Sequence, residues 1–207
     1  MRNVLEIRVS VTELKLSQRS MRALAHLDSY DWILFTSKHA VRFFGGQLRA
    51  RRIPLPRAAR IAAVGPTTAA SLHALGLPVH LVPERYTLRD LIRKLGRVTG
   101  ARIVFPRSAI APDDMVKTLR ARGARVTVVP VYTTAASPLA RTTRRALLRG
   151  AYARIMFRSP SGVRGLLQQL TADERKVVRR IPAQCIGPTT ARAARAGGFE
   201  EVSTKSV

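Results

Sequence analysis

Nine residues recur along this 207-residue chain at one constant spacing. Tyr30, Phe35, Ser37, Val41, Gly65, Pro66, Thr67, Thr68 and Ala69 return as Tyr152, Phe157, Ser159, Val163, Gly187, Pro188, Thr189, Thr190 and Ala191. Every pair is 122 positions apart and no gap is needed. Chance supplies one such match but not an ungapped set, so the chain holds two copies of one unit. Two similar domains facing each other create a cleft lined by equivalent loops, a preferred place for ligands.

The repeated unit reads as alternating strands and helices. Ile33–Phe35 is a short apolar run, and Val41, Phe44 and Leu48 follow it at helical spacing. Arg60–Val64 is the next strand and breaks at Gly65-Pro66; a short helix then closes at Gly76, a C-terminal glycine. Val79–Val82 reads as a strand. Leu88, Leu91, Ile92 and Leu95 fit a helix with Thr87 as N-cap. Ile103–Phe105 and Val126–Tyr132 are further strands, with a helix between them that ends at Gly123. Such alternation specifies parallel sheet with helices on its faces. Residues 133–143 lose periodicity and read as a crossing between domains. The counterpart of the helix at Thr87–Leu95 would begin near position 209, and the chain ends at Val207, so the second copy is expected to lack it.

Composition excludes several classes. Hydrophobic content of 46% can build a core, and no run approaches the ~20 apolar residues of a membrane span. No signal-peptide pattern is seen, and the lone Cys185 excludes an internal disulfide, so a soluble cytoplasmic protein is expected. Lys and Arg number 37 against 12 Asp and Glu, a formal charge of +25 that attracts polyanions. The bases are spread along the chain, mostly as Arg, which also fits a GC-rich coding bias. The four histidines have no metal-ligand spacing, and neither a P-loop nor a nucleophile elbow occurs.

Two pairs of motifs remain. Gly65-Pro-Thr-Thr-Ala69 and Gly187-Pro-Thr-Thr-Ala191 each follow a strand and open a helix, where free N–H groups and the dipole attract an anion. Thr67, Thr68, Thr189 and Thr190 are either simple N-caps or added donors to a ligand. Thr36-Ser37-Lys38-His39 and Arg158-Ser159-Pro160-Ser161 occupy a second strand-to-helix junction. Ser37 and Ser159 are caps equally placed to grip a carboxylate. Lys38 and Arg158 supply charge there or are solvated surface residues.

Tyr30–Ser37, Ala63–Ala69, Gly123–Tyr132, Phe157–Ser161 and Cys185–Ala191, in this order and spacing, resemble the uroporphyrinogen-III synthase family over essentially the whole chain. The resemblance implies two Rossmann-like (flavodoxin-like) α/β domains joined by a two-stranded connector, with the active site in the cleft between them. Residues 1–23 would be connector strand and lead-in, 24–130 a complete domain, 131–138 the return connector. Residues 139–207 would be the second, discontinuous domain, truncated by the lack of an N-terminal strand–helix–strand and of a last helix. The implied substrate is hydroxymethylbilane, a linear tetrapyrrole with eight carboxylates. It would lose water at ring A, invert ring D through a spiro intermediate and close, with no metal or organic cofactor. Tyr132 is the implied acid, against a packing role at the connector. Ser37, Thr68, Ser159 and Thr190 would touch substrate, joined by Lys38, Thr67, Arg158 and Thr189 from the motifs. A monomer is expected, with channelling from the preceding deaminase as a further partner expectation. A non-catalytic paralogue that binds a tetrapyrrole or other polyanion would bind without turnover. A basic nucleic-acid-binding protein, suggested by charge alone, would show steep salt dependence and ignore tetrapyrroles.

Overall fold

A computed structural model describes residues 3–204. The chain divides into two compact units, Thr12–Thr133 and a discontinuous unit of Met1–Val11 with Thr134–Val207. β1 (Val4–Ile7) and β2 (Val9–Glu13) come first in the chain, followed by α1 (Gln18–Ala25), whose N-cap Ser17 accepts from Ser20 N–H.

The Thr12–Thr133 unit is built on β3 (Trp32–Phe35), buried along its full length. Around it lie α2 (Lys38–Ala50), β4 (Arg60–Ala63), α3 (Pro66–Ala74), α4 (Leu88–Lys94), β5 (Arg102–Ser108), α5 (Asp114–Ala121) and β6 (Arg125–Ala136). The sheet order is β2-β6-β5-β3-β4, and β6, β5, β3 and β4 run parallel. Residues along a strand alternate between its faces. Trp32, Leu34, Ile103 and Phe105 accordingly pack with Leu91, Met115 and Leu119 into one core. Each such side chain contributes roughly 1.5–3 kcal/mol when fully buried. Gly76 and Gly123 have φ of +82° and +84°, as helix-ending glycines require.

The stretch Val79–Val82 is not a strand; Leu81 alone pairs, with Ala62. The His80 side chain takes up part of the ladder, because its Nδ1 accepts the Ile61 N–H at 3.0 Å. β5 and β6 in turn run beyond their apolar cores, β6 through Thr133–Ala136, a stretch without periodicity in the sequence. Hydrogen bonds from Leu14 N to Val131 O and from Ser137 N to Arg8 O set β2 antiparallel to β6.

The discontinuous unit continues with α6 (Arg141–Leu148), β7 (Arg154–Phe157), α7 (Pro160–Gln168), α8 (Ala172–Arg179), β8 (Ala183–Cys185), α9 (Pro188–Ala196) and β9 (Val202–Thr204). Its sheet runs β1-β7-β8-β9, all parallel. β1, which the sequence placed in the connector, is therefore a strand of this sheet. Ile7 lies in its core and Leu5 packs against it. The duplication survives in register: α3 and α9 start and end 122 residues apart. The lone Ala62–Leu81 bridge corresponds to the Gln184–Ser203 pair inside β9's ladder. Among the described residues no helix is long and apolar enough to cross a membrane.

Glu174 fastens α8 to α6. Arg144 grips it through Nε and Nη2 at 2.9 and 2.5 Å, and Thr171 N–H donates to it at 2.8 Å within a capping box. These donors, Arg144 first, hold its pKa down from 4.5 to about 2. The stabilisation is thus complete above pH 4.5 and is lost as pH falls through about 2. Thermal melts between those limits should show falling stability, with a shallower fall in Glu174→Gln; equal slopes would rule this carboxylate out as a cause.

Candidate functional site

β3 ends at Phe35, and the chain turns through Ser37 into α2. Ser37 keeps extended backbone angles and its Oγ accepts the Ala40 N–H at 3.1 Å, as an N-cap does. The same Oγ lies 3.0 Å from Tyr132 Oη. β5 separates β3 from β6, so about 10 Å of backbone, two strand spacings, divides the two residues. A tyrosine and a serine close that gap over the end of β5. The Tyr132 ring is buried. Phe43 stacks on it, with centroids 5.7 Å apart and planes at 23°, and the His39 ring lies 6.0 Å away. His39 and Phe43 stand one helical turn apart on α2. Burial, then the charges of Lys38 and Arg42, push the His39 pKa below its ordinary 6.5.

Phe43 and His39 also wall a cavity of about 660 Å³, together with Lys38, Arg42, Arg49 and Ser71. Lys38 is exposed there. The end of the adjacent strand β4 carries the Gly-Pro-Thr-Thr motif. Gly65 is the N-cap and Pro66 the first helical residue, so Thr67 and Thr68 are not caps. Thr67 is exposed and Thr68 buried, its N–H bonded to Gly65 O at 3.1 Å. A Cβ at Gly65 would come within 3.3 Å of Tyr86, whose side chain is 62% exposed.

In the other unit, Ser159 caps α7 by accepting the Gly162 N–H at 3.2 Å, and its Oγ pairs with Ser161 at 2.9 Å. Arg158 is exposed and pairs with Glu6 at 3.2 Å. Thr189 is exposed and Thr190 buried behind the N-cap Gly187, with no side-chain cap there either. Ser159 and Thr189–Thr190 thus lie at the ends of adjacent strands β7 and β8, as Ser37 and Thr67–Thr68 do at β3 and β4. Ser37 and Tyr132 are the predicted residues that bond directly. His39, Phe43 and Tyr86 were not singled out from sequence; the i, i+4 spacing of the first two after a capping serine was their available signal. No group of three His, Cys, Asp or Glu placed to hold a metal occurs among the described residues. The site offers hydroxyl donors, helix N-termini and cations, suited to holding carboxylates and delivering one proton.

A family model for uroporphyrinogen-III synthase HemD matches residues 4–206. The chain belongs to the uroporphyrinogen-III synthase family. The putative uroporphyrinogen-III synthase of Methanothermobacter thermautotrophicus is 30% identical to this family member over 195 residues, covering 85% of this chain and 73% of that one. The porphyrin biosynthesis protein HemD of Ruminiclostridium josui is 27% identical over 192 residues, 90% of this chain but only 38% of its own length. The chain therefore spans well under two thirds of that relative. The fold is that of a uroporphyrinogen III synthase from the extremely thermophilic bacterium Thermus thermophilus, with a TM-score of 0.71 at 24% identity, over 94% of this chain and 80% of the other.

Proposed function

We propose that this chain cyclises hydroxymethylbilane to uroporphyrinogen III, losing water and inverting ring D. Beyond family membership, the observation that carries the proposal is the Ser37–Tyr132 hydroxyl pair at 3.0 Å. Tyr132 Oη gives its proton to the departing ring A hydroxyl, which leaves as water, and an electrophilic azafulvene remains. The substituted α-carbon of ring D attacks it to form the spiro intermediate, which fragments and recloses with ring D inverted. The loss of the proton at the final closure restores the pyrrole, and the tyrosine is reprotonated. Ser37 orients the acid, and the stacked Phe43 restricts the ring, so positioning supplies much of the rate.

Thr67, Thr68 and Lys38 serve as carboxylate anchors in one unit, and Arg158, Ser159, Thr189 and Thr190 in the other. Both sets are assigned to carboxylates of the same substrate. The chemistry uses no metal or organic cofactor. We place the protein in the cytoplasm as a monomer, receiving its unstable substrate from the preceding deaminase.

Synthetic hydroxymethylbilane closes without enzyme to the type I isomer. With the protein present, the type III isomer should dominate after oxidation and chromatographic separation. Type I alone would overturn the proposal for this chain, and tight uroporphyrin binding without turnover would mark it as a non-catalytic binder.

A further inference from the structure

Arg107 is the only charged side chain buried among the described residues, at 4% exposure, in a chain with 37 Lys and Arg. Burying a guanidinium costs several kcal/mol unless its donors are matched, so what it binds shows what it is for. Its carbon Cζ lies 5.6 Å from the Phe105 ring centre. Its Nε donates to Ser108 O at 3.2 Å and its Nη2 donates to Ala111 O. Nη1 lies 3.0 Å from Asp113 Oδ1, near enough for an ion pair but not aligned as a hydrogen bond. Its polar partners all belong to the last residue of β5 and the segment that follows it.

That segment meets Tyr132. The β5–β6 register slips between Arg107 and Ser108, which sets Ser108 opposite Tyr132. One residue on, Ala109 N–H donates to Tyr132 O at 2.8 Å. The guanidinium therefore clamps the backbone that clamps the backbone of Tyr132, whose hydroxyl meets Ser37. We propose that Arg107 is a positioning residue for the Tyr132 hydroxyl, an inference that rests on the cyclisation proposed above for its kinetic consequences. Arg107 does not touch the substrate; its fork holds the β5 exit in the slipped register. Lysine keeps the charge but cannot bind two carbonyls and a carboxylate from one rigid plane.

Arg107→Lys should lower kcat about tenfold and leave KM within about twofold, as a small misplacement of the acid does. On a Tyr132→Phe background the same change should cost nothing further, because the group it positions is gone. Losses that multiply, or a KM rise matching the kcat fall, would overturn the proposal. A second readout does not depend on turnover. With ¹³Cζ-tyrosine labelling of the four tyrosines, and Tyr132→Phe to assign one resonance, Arg107→Lys should shift the Tyr132 signal alone. If the wild type makes no type III isomer, the cyclisation falls while this shift still tests the positioning. Should Arg107→Lys not fold, Asp113→Asn, at the exposed end of the ion pair, should move the same resonance to a smaller extent. A Tyr132 signal unmoved by the folded variant overturns the inference.

Discussion

Tyr132→Phe is expected to lower kcat for formation of the type III isomer about 100-fold while KM stays within about threefold. The change removes one oxygen from a buried ring that Phe43 keeps stacked, so the proposed anchors for the substrate carboxylates are untouched. Ser37 loses one partner but keeps its cap on Ala40, and stability should fall by only about 1 kcal/mol. A hundredfold loss corresponds to about 2.7 kcal/mol of transition-state stabilisation, so the kinetic effect exceeds the structural one and the two are separable. Type III product must be measured rather than substrate loss, because spontaneous closure to type I would mask the defect. A variant that forms type III at the wild-type rate would remove Tyr132 as the acid and turn attention to His39, whose ring lies 6.0 Å away.

Local chemistry was the legible part. Ser37 and Ser159 could be read as caps because a serine after an apolar run and before a helical pattern has few other uses. The α3 and α9 boundaries followed from glycine, proline and the repeat. The threonines misled in part: proline fixes the first helical position, so the cap falls on the glycine before it and Thr67 and Thr189 sit one place further in. Val79–Val82 has the composition of a strand, yet a histidine side chain supplies an acceptor that the neighbouring strand would have found on backbone. The opening residues read as a strand, but the sheet that β1 joins was not legible, since its partner β7 lies some 150 residues away and nothing local specifies that pairing. The same holds for Ser37 and Tyr132, 95 residues apart. Resemblance pointed to the tyrosine, but only strand order brings it to the serine. Phe43 carries no such signal, because helical spacing assigns its neighbour Phe44 to the core and Phe43 faces the other way.

Gly165→Ala should destabilise the protein by about 1–2 kcal/mol, although helix propensity alone favours alanine over glycine by up to about 1 kcal/mol. Gly165 lies inside α7, where a built Cβ would come 2.5 Å from the Ala136 Cβ and 2.8 Å from the Ala136 N. The obstacle is largely backbone of β6, so no side-chain rotation relieves it. Gly46, inside α2, is the control: its Cβ would find only Glu13 Oε1, at 3.9 Å. Gly46→Ala should therefore gain stability by the propensity difference, up to about 1 kcal/mol. Opposite signs in urea unfolding would show that close approach of helix and strand, not helix propensity, decides at Gly165; equal signs would discard that explanation. The position is also where the duplication parts company with itself, since 165 less 122 is 43. In the first copy that helical position holds Phe43, the ring stacked on Tyr132. In the second, glycine lets the far end of the strand that carries Tyr132 pass against the helix. One position of the ancestral unit thus became an aromatic wall for the proposed acid in one copy and a gap for its strand in the other. Ser37 accordingly has the Tyr132 hydroxyl beside it as well as its cap bond, whereas Ser159, besides its own cap bond, meets only a neighbouring serine hydroxyl.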